Sequence, residues 1–469
     1  MSGATVGSDD PGILVAAGLD EGAVSAWRET PAATHDYKGD CRRFSDYWLQ
    51  SNRLIARLPE ASRRSGSERA AAQTIVAAAR AARVQFLRRH VDTLYDALTA
   101  DRSRPVRVTE LALAAAAAVP GLVPGEARIA AEDGRLQRDR SGIEIDQGLL
   151  VSAVMGSPAA GRHLCHAMLL PRAESLSLLQ RLRRDGAVAV PGASVVRHGR
   201  ASVVTYEHPR FLNAEDHGTL AGMETCVDLA LLDEDTDIVV LRGGEVEHPK
   251  YRGRRIFGAG INLTHLYHGR IPFLWYLERD LGYVNKIYRG LTVAGDAPPD
   301  EWGGATREKL WIAAVEGFAI GGHCQVLLVC DHVLAETDAY LTLPARKEGI
   351  IPGAANLRLP RFTGDRIARQ AILNERRIAC ASPEGRLICD AIVPPGGMAA
   401  AIEEQVSRLT NSGIVSAAGN RRAFRIGEEP LELFRSYMAV YAREQALCHF
   451  SPALIANLER HWNAQNRKP

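Results

Sequence analysis

The sequence predicts an α/β protein flanked by a helical N-terminal domain and a helical C-terminal tail. Three observations carry that prediction. From Asp36 to about Pro191 the chain has an Ala-, Arg- and Leu-rich helical texture. From about Val195 to Pro395, short β-branched runs alternate with helical patterns, as crossover-connected strands require. After Gly396-Gly397 the helical texture returns and holds to the end.

Taken in order, residues 1–35 are rich in Gly, Ala and Asp and are expected to be frayed. Residues 36–194 form the helical domain. Within it, Ala70 to Leu98 and Leu111 to Val119 are strong helix formers, and Leu176, Leu179 and Leu182 make an apolar stripe between Gly161 and Arg184. Residues 195–395 form the α/β core, with strands expected at Ala201–Tyr206 and Asp237–Arg242. Residues 396–469 form a helical segment suited to oligomerisation.

The bulk numbers exclude several functions. Of the 469 residues 46% are hydrophobic and 24% charged, and a net charge of +2 gives no general attraction to nucleic acid or membrane. No apolar run approaches the ~20 residues of a membrane helix. Met1 to Gly18 has no basic stretch ahead of an apolar core, so a cytoplasmic protein is expected. Eight cysteines without a CxxC pair read as reduced small hydrophobes. His163 and His166 have the spacing of helical metal ligands, but no third ligand accompanies them, so no metal is expected.

The chemistry concentrates in two glycine turns that each follow an apolar strand. The first is Arg255-Ile256-Phe257-Gly258-Ala259-Gly260-Ile261-Asn262-Leu263. The second runs from Ala313 through Gly321-Gly322-His323-Cys324-Gln325 into a helix expected to reach Asp331. Glycine lets a ligand approach backbone N–H groups, and a helix start adds a positive dipole end. Two such N–H donors converging from separate turns make an oxyanion hole for a thioester.

In order and spacing, Asn213-Ala214, Phe257–Leu263 and Val315–Gly322 resemble the signature turns of the crotonase (enoyl-CoA hydratase/isomerase) superfamily. Cys330-Asp331, Leu343-Pro344 and Gly349–Ala354 extend the resemblance, which covers roughly Val195 to Pro395. It implies a crotonase-like spiral core of ββα units, oxyanion donors at Ile261 and Gly322, and assembly as a homohexamer, a dimer of trimers. Two departures stand out. Hydratases carry glutamates at the positions of Gln325 and Ala345, and both are lost here. Without them the site can polarise a thioester and stabilise its enolate, but it lacks the acid/base pair that adds water.

The helical extension, the insert His248–Arg255, Tyr267–Phe273 and Glu278–Tyr283, taken with the Gly-Gly-His-Cys-Gln turn, are similar to the cofactor-independent 3,5-dihydroxyphenylacetyl-CoA dioxygenases of glycopeptide-antibiotic pathways. That resemblance implies conversion of an arylacetyl-CoA and O2 to an arylglyoxylate and free CoA with neither metal nor flavin. The α-proton is acidified by ring and carbonyl together, and the enolate can reduce O2 directly. By the same resemblance Glu215, Arg279 and Gln325 would meet the ring hydroxyls. Leu263, Ala345 and Ile350 would line a dry O2 pocket. Lys250, Arg252, Arg254 and Arg255 could meet the CoA phosphates. His323, where hydratases have a third glycine, either shapes the pocket or points away. A thioester hydrolase or isomerase is the rival enzyme reading. An RNA-binding homologue with an idle pocket is the rival of another class.

Overall fold

The computed structural model describes residues 11–292, 306–411 and 414–469. The chain opens with helices α1 (Pro11–Ala16), α2 (Glu21–Trp27), α3 (Tyr37–Arg57), α4 (Gly66–Leu98), α5 (Val108–Ala118), α6 (Glu126–Ala130), α7 (Ile145–Gly156), α8 (Pro158–Leu169) and α9 (Ala173–Asp185). The expectation of a frayed terminus fails for residues 11–35. Leu14, Leu19, Val24 and Trp27 are buried, and the Trp27 indole N–H donates to Ser51 Oγ at 2.8 Å. Helices this short are marginal alone, and burial against α3 and α4 supplies what local propensity does not. Residues 1–10 lie outside the described residues. The long α4 starts with a capping box between Ser65 and Glu68, and packs through Phe86 on Phe44 and Trp48 of α3.

Strands then begin slightly earlier than expected. β1 (Ala187–Val190), β2 (Ala193–His198) and β3 (Ala201–Tyr206) form an antiparallel meander. Helix α10 (His217–Leu232) leads to β4 (Ile238–Gly243), followed by α11 (Leu263–Tyr267), α12 (Leu274–Leu281) and α13 (Tyr283–Arg289). A short pair, β5 (Leu291–Thr292) and β6 (Thr306–Arg307), precedes β7 (Leu310–Val315), β8 (Phe318–Ile320) and α14 (Gly322–Leu327). Then come β9 (His332–Glu336), β10 (Tyr340–Thr342), α15 (Ala345–Glu348), α16 (Ala355–Leu373), β11 (Ile378–Ala379) and β12 (Ala391–Val393).

The large sheet has the order β1-β2-β3-β4-β7-β9-β12, parallel from β3 onward. Its central strands β4 and β7 are buried almost throughout, which explains their continuous apolar runs rather than alternation. A small sheet, β11-β10-β8, takes one strand from each successive turn of the chain. Thus β7 and β8 lead to α14, and β9 and β10 lead to α15: this is the spiral of ββα units. Helix α14 ends at Leu327, four residues short of the expected Asp331. The Asp331 N–H donates to Trp311 O at 2.9 Å, and its carboxylate accepts from the Trp311 N–H at 2.7 Å. That clamp to the start of β7 pulls the chain out of the helix and into β9.

Four helices close the chain: α17 (Met398–Thr410), α18 (Ile414–Glu428), α19 (Leu431–His449) and α20 (Pro452–Trp462). Helix α19 lies against α7 of the N-terminal region, where Gly148 lets it come close. A Cβ there would sit 2.6 Å from that of Ala446. Through Tyr441 the same helix also reaches the site described next.

Candidate active site

The two glycine turns meet. A parallel bridge joins Gly258 to Ala319, with the Ile320 N–H donating to Gly258 O at 3.0 Å. On the other side, Glu215 N–H donates to Gly260 O at 2.8 Å and Asn262 N–H to Glu215 O at 2.7 Å. Gly260 has φ +78° and Gly321 has φ +55°, backbone that disfavours other residues. A Cβ on Gly260 would also lie 2.8 Å from Ile320 O and 3.4 Å from Gly322 N. Between these bonded neighbours, neither the Ile261 N–H nor the Gly322 N–H donates to a protein acceptor among the described residues. Two adjacent unpaired amides, one at a helix start, are able to donate together to a single oxygen placed between them.

His323 supports this arrangement from behind. It is fully buried, stacks edge-on against Tyr206 and Phe257, and its Nδ1 accepts from the Gly260 N–H at 2.9 Å. Its proton therefore sits on Nε2. Burial pulls its pKa down to about 4, so it is a neutral prop beneath the first turn. It lines neither the inner chamber nor the outer cleft described below.

Beside Gly322 lies a buried polar cluster. The Arg279 guanidinium donates to Glu215 Oε2 at 2.9 Å, to Gly322 O at 2.9 Å and to Gln325 Oε1. The Gln325 amide N–H donates onward to Asp280 Oδ1 at 2.7 Å, so both ends of this side chain are fixed. Tyr283 donates its hydroxyl proton to Glu215. Burial alone would raise the Glu215 carboxyl, yet the Arg279 charge beside it, with hydrogen bonds from Arg279 and Tyr283, holds it below its ordinary value. For Arg279, burial works against the charge, but Glu215, Tyr283 and Asp280 raise its pKa well above the usual range.

Arg279, Asp280, Gln325, Ile261 and Gly322 line an inner chamber of about 30 Å³, room for one water molecule. Ala345, Ile350, Leu343, Trp275 and Tyr441 make much of the remaining wall apolar, and the Glu348 carboxylate interrupts it. An outer cleft of about 630 Å³ adjoins it, and Ile261 lines both. Basic groups along that cleft are Arg210, Lys347, His461, Arg467 and Lys468, the last three from the C-terminal end.

The structure therefore brings Ile261, Gly322, Gln325, Arg279, Ala345 and Ile350 together. Glu215 joins them by gripping Arg279, but stays outside the chamber lining. Leu263 lines the outer cleft instead of the chamber. The basic run is not gathered at the cleft. Lys250 and Arg252 are exposed, Arg254 pairs with Glu336 and Asp338 at 3.3 and 3.1 Å, and Arg255 donates to Gly243 O at 3.3 Å. Only His248 and Tyr251 of that insert line the cleft. Sequence reasoning missed the C-terminal cations and Glu348, a chamber-lining carboxylate three residues beyond Ala345. The i, i+3 spacing on α15 was the available signal. His163 is buried with its Nδ1 bonded to the Tyr95 hydroxyl at 2.8 Å. Among the described residues no group of three or more His, Cys, Asp or Glu is arranged to hold a metal.

A ββα spiral with two facing amide-bearing turns is the architecture of the enoyl-CoA hydratase/isomerase class, and the family model of that description matches residues 303–434. The chain is 47% identical over 406 residues to (3,5-dihydroxyphenyl)acetyl-CoA 1,2-dioxygenase of Amycolatopsis orientalis, covering 86% of this chain and 92% of that relative. It belongs to the family of that dioxygenase, within the crotonase superfamily. A short-chain-enoyl-CoA hydratase of Clostridium acetobutylicum is 26% identical over 234 residues, covering 49% of this chain and 80% of the relative. A solved enoyl-CoA hydratase from Mycobacterium avium subsp. paratuberculosis aligns at 22% identity with a TM-score of 0.47, covering 60% of this chain and 98% of its own.

Proposed function

We propose that this chain converts (3,5-dihydroxyphenyl)acetyl-CoA and O2 to the arylglyoxylate and free CoA through an enolate held at Ile261 and Gly322, with no metal or flavin. The observation that carries this reading is a chamber joining two free amide donors to Gln325 and Ala345, in a chain close to a dioxygenase of that name. The substrate enolate is itself the reductant, so the protein has to generate it, shelter it and admit O2. Arg279, Asp280 and Gln325 offer the polar partners that ring hydroxyls need. Ala345 and Ile350 supply the dry wall. Seating an aryl ring requires the 350–353 wall or Tyr441 to yield, since the chamber alone is smaller than the ring.

The outer cleft takes the CoA moiety in this reading, with Arg210, Lys347 and Arg467 meeting its phosphates. Arg467→Ala is expected to raise KM about tenfold with kcat unchanged, the signature of a contact made equally in ground and transition states. A steady-state series in substrate concentration checks it. The dimer of trimers belongs to the same proposal: Phe424, Leu433, Val440 and Leu447 are apolar and 64, 45, 56 and 45% exposed, a surface that partner copies would cover.

Gln325→Glu is expected to cut oxygenation by one to two orders of magnitude, and to admit thioester hydrolysis. The new carboxylate would face Asp280 Oδ1, now 2.7 Å from the amide nitrogen, and would stand beside the enolate. Oxygen uptake and thiol release, measured together, check both halves. The reading as a whole is tested by thiol release with and without O2. Release that requires O2, one thiol per O2 consumed, is the expected result. Equal release under anaerobiosis would identify a hydrolase instead.

A further inference from the structure

We propose that Glu348 is the base that takes the α-proton of the bound thioester and returns it to the departing CoA sulfur. This rests on the function proposed above and assigns a group that reading left unnamed. Ile261 and Glu348 are the two residues that line both the outer cleft and the inner chamber. They flank the junction where a thioester entering from the cleft presents its carbonyl and, one bond further in, its α-carbon. The Glu348 carboxylate also lies near the second turn: a Cβ on Gly321 would be 3.9 Å from its Oε2. Its helix is only Ala345–Glu348, ended by Gly349 in the left-handed region at φ +81°, which holds the side chain at the chamber rim.

Unlike Glu215, Glu348 has no protein hydrogen-bond donor on its carboxylate among the described residues. The charged and titratable groups around it come from every neighbouring element. Lys347 shares its helix, His461 of α20 shares the cleft lining with it, and Arg279, Asp280, Tyr276 and Tyr441 share the chamber lining. Glu375 is its like-charged neighbour and is itself bridged by Arg346 at 3.3 Å. Burial, and then Glu375, push its carboxyl up to about 8, which suits proton transfer near neutral pH.

The steps balance. Glu348 accepts H⁺ from the CH2, leaving the electron pair in the enolate. The enolate reduces O2 and forms the Cα–O bond of a peroxide. The terminal peroxide oxygen attacks the thioester carbonyl, the C–S bond breaks, and the thiolate takes the proton from Glu348. Loss of the second α-proton with O–O cleavage gives the keto acid, so ArCH2COSCoA + O2 yields ArCOCOO⁻, H⁺ and CoASH.

The test uses full-length protein and (3,5-dihydroxyphenyl)acetyl-CoA in D2O without O2, with α-deuteration followed by mass spectrometry. Wild type is expected to exchange the α-protons, at a rate that rises with pH and levels off above about 8. E348Q is expected to slow both exchange and aerobic turnover at least ~100-fold, with substrate Kd within threefold of wild type. E348D, with the acid one methylene back, retains part of the rate and the same acid limb. It carries the test if E348Q does not bind substrate. Exchange or turnover by E348Q within threefold of wild type would overturn the assignment, as would an E348D profile lacking the acid limb. Failure of wild type both to exchange and to consume O2 would bring down the functional reading beneath it. O2 uptake retained by E348Q would remove Glu348 alone.

Discussion

Arg279→Met is expected to lower folding stability by about 3–5 kcal/mol and turnover by at least ~100-fold. Arg279 is 3% exposed and holds Glu215, the Gly322 carbonyl and Gln325 at once. Removing it strands a buried Glu215 carboxylate, now kept ionised chiefly by that guanidinium against the effect of burial. It also frees the Gln325 amide from one of its two anchors. Adding Glu215→Gln to Arg279→Met should recover most of the stability, because the uncompensated charge is gone, while turnover stays low. Chemical denaturation and steady-state kinetics on the single and the double variant check this. A single variant within about 1 kcal/mol of wild type would show that the cluster is not a coupled unit.

Replacing the Gly322 amide by an ester, through incorporation of glycolic acid at that position, is expected to reduce kcat by 10²–10³, about 3–4 kcal/mol of transition-state stabilisation. The change removes one N–H and adds no side chain. That matters because a Cβ here would press on Arg279 at 3.0 Å and on Glu215 at 3.3 Å. The same ester weakens Gly321 O as acceptor for the Gln325 N–H, now at 3.0 Å, a smaller loss at the start of a short helix. Substrate affinity should change little, since the ground-state carbonyl takes a weaker hydrogen bond than the enolate oxygen. A loss confined to KM would mean that this amide binds substrate without stabilising the enolate.

The parts of the site legible in the sequence are those where backbone geometry demands a residue type. Gly260 and Gly321 need positive φ, and the amides that follow them are left free for that reason. Gln325 and Ala345 were legible as departures from a recognised pattern. Directions of long side chains were not. Lys250 to Arg255 reads as a phosphate-binding run, but the partners of Arg254 are Glu336 and Asp338, more than eighty residues away in sequence. The cations that do line the cleft arrive from before α10 (Arg210), from α15 (Lys347) and from the C-terminal end (His461, Arg467, Lys468), and nothing local marks them as neighbours. Glu348 sits beside Lys347 at a helix end and reads as a solvated charge until α20 and the chamber close round it. For α1 and α2 the composition pointed to fraying, and buried Trp27 and Leu14 overrode it through tertiary contacts.

The central claim is that both oxygen atoms enter the product from O2 at an enolate the protein itself holds. Chelator-treated protein incubated with the arylacetyl-CoA under ¹⁸O2 in ordinary water tests it most directly. The account predicts one ¹⁸O in the keto group and one in the new carboxylate, with turnover undiminished by the chelator. Label absent from the keto acid, or a carboxylate oxygen drawn from water, would contradict it.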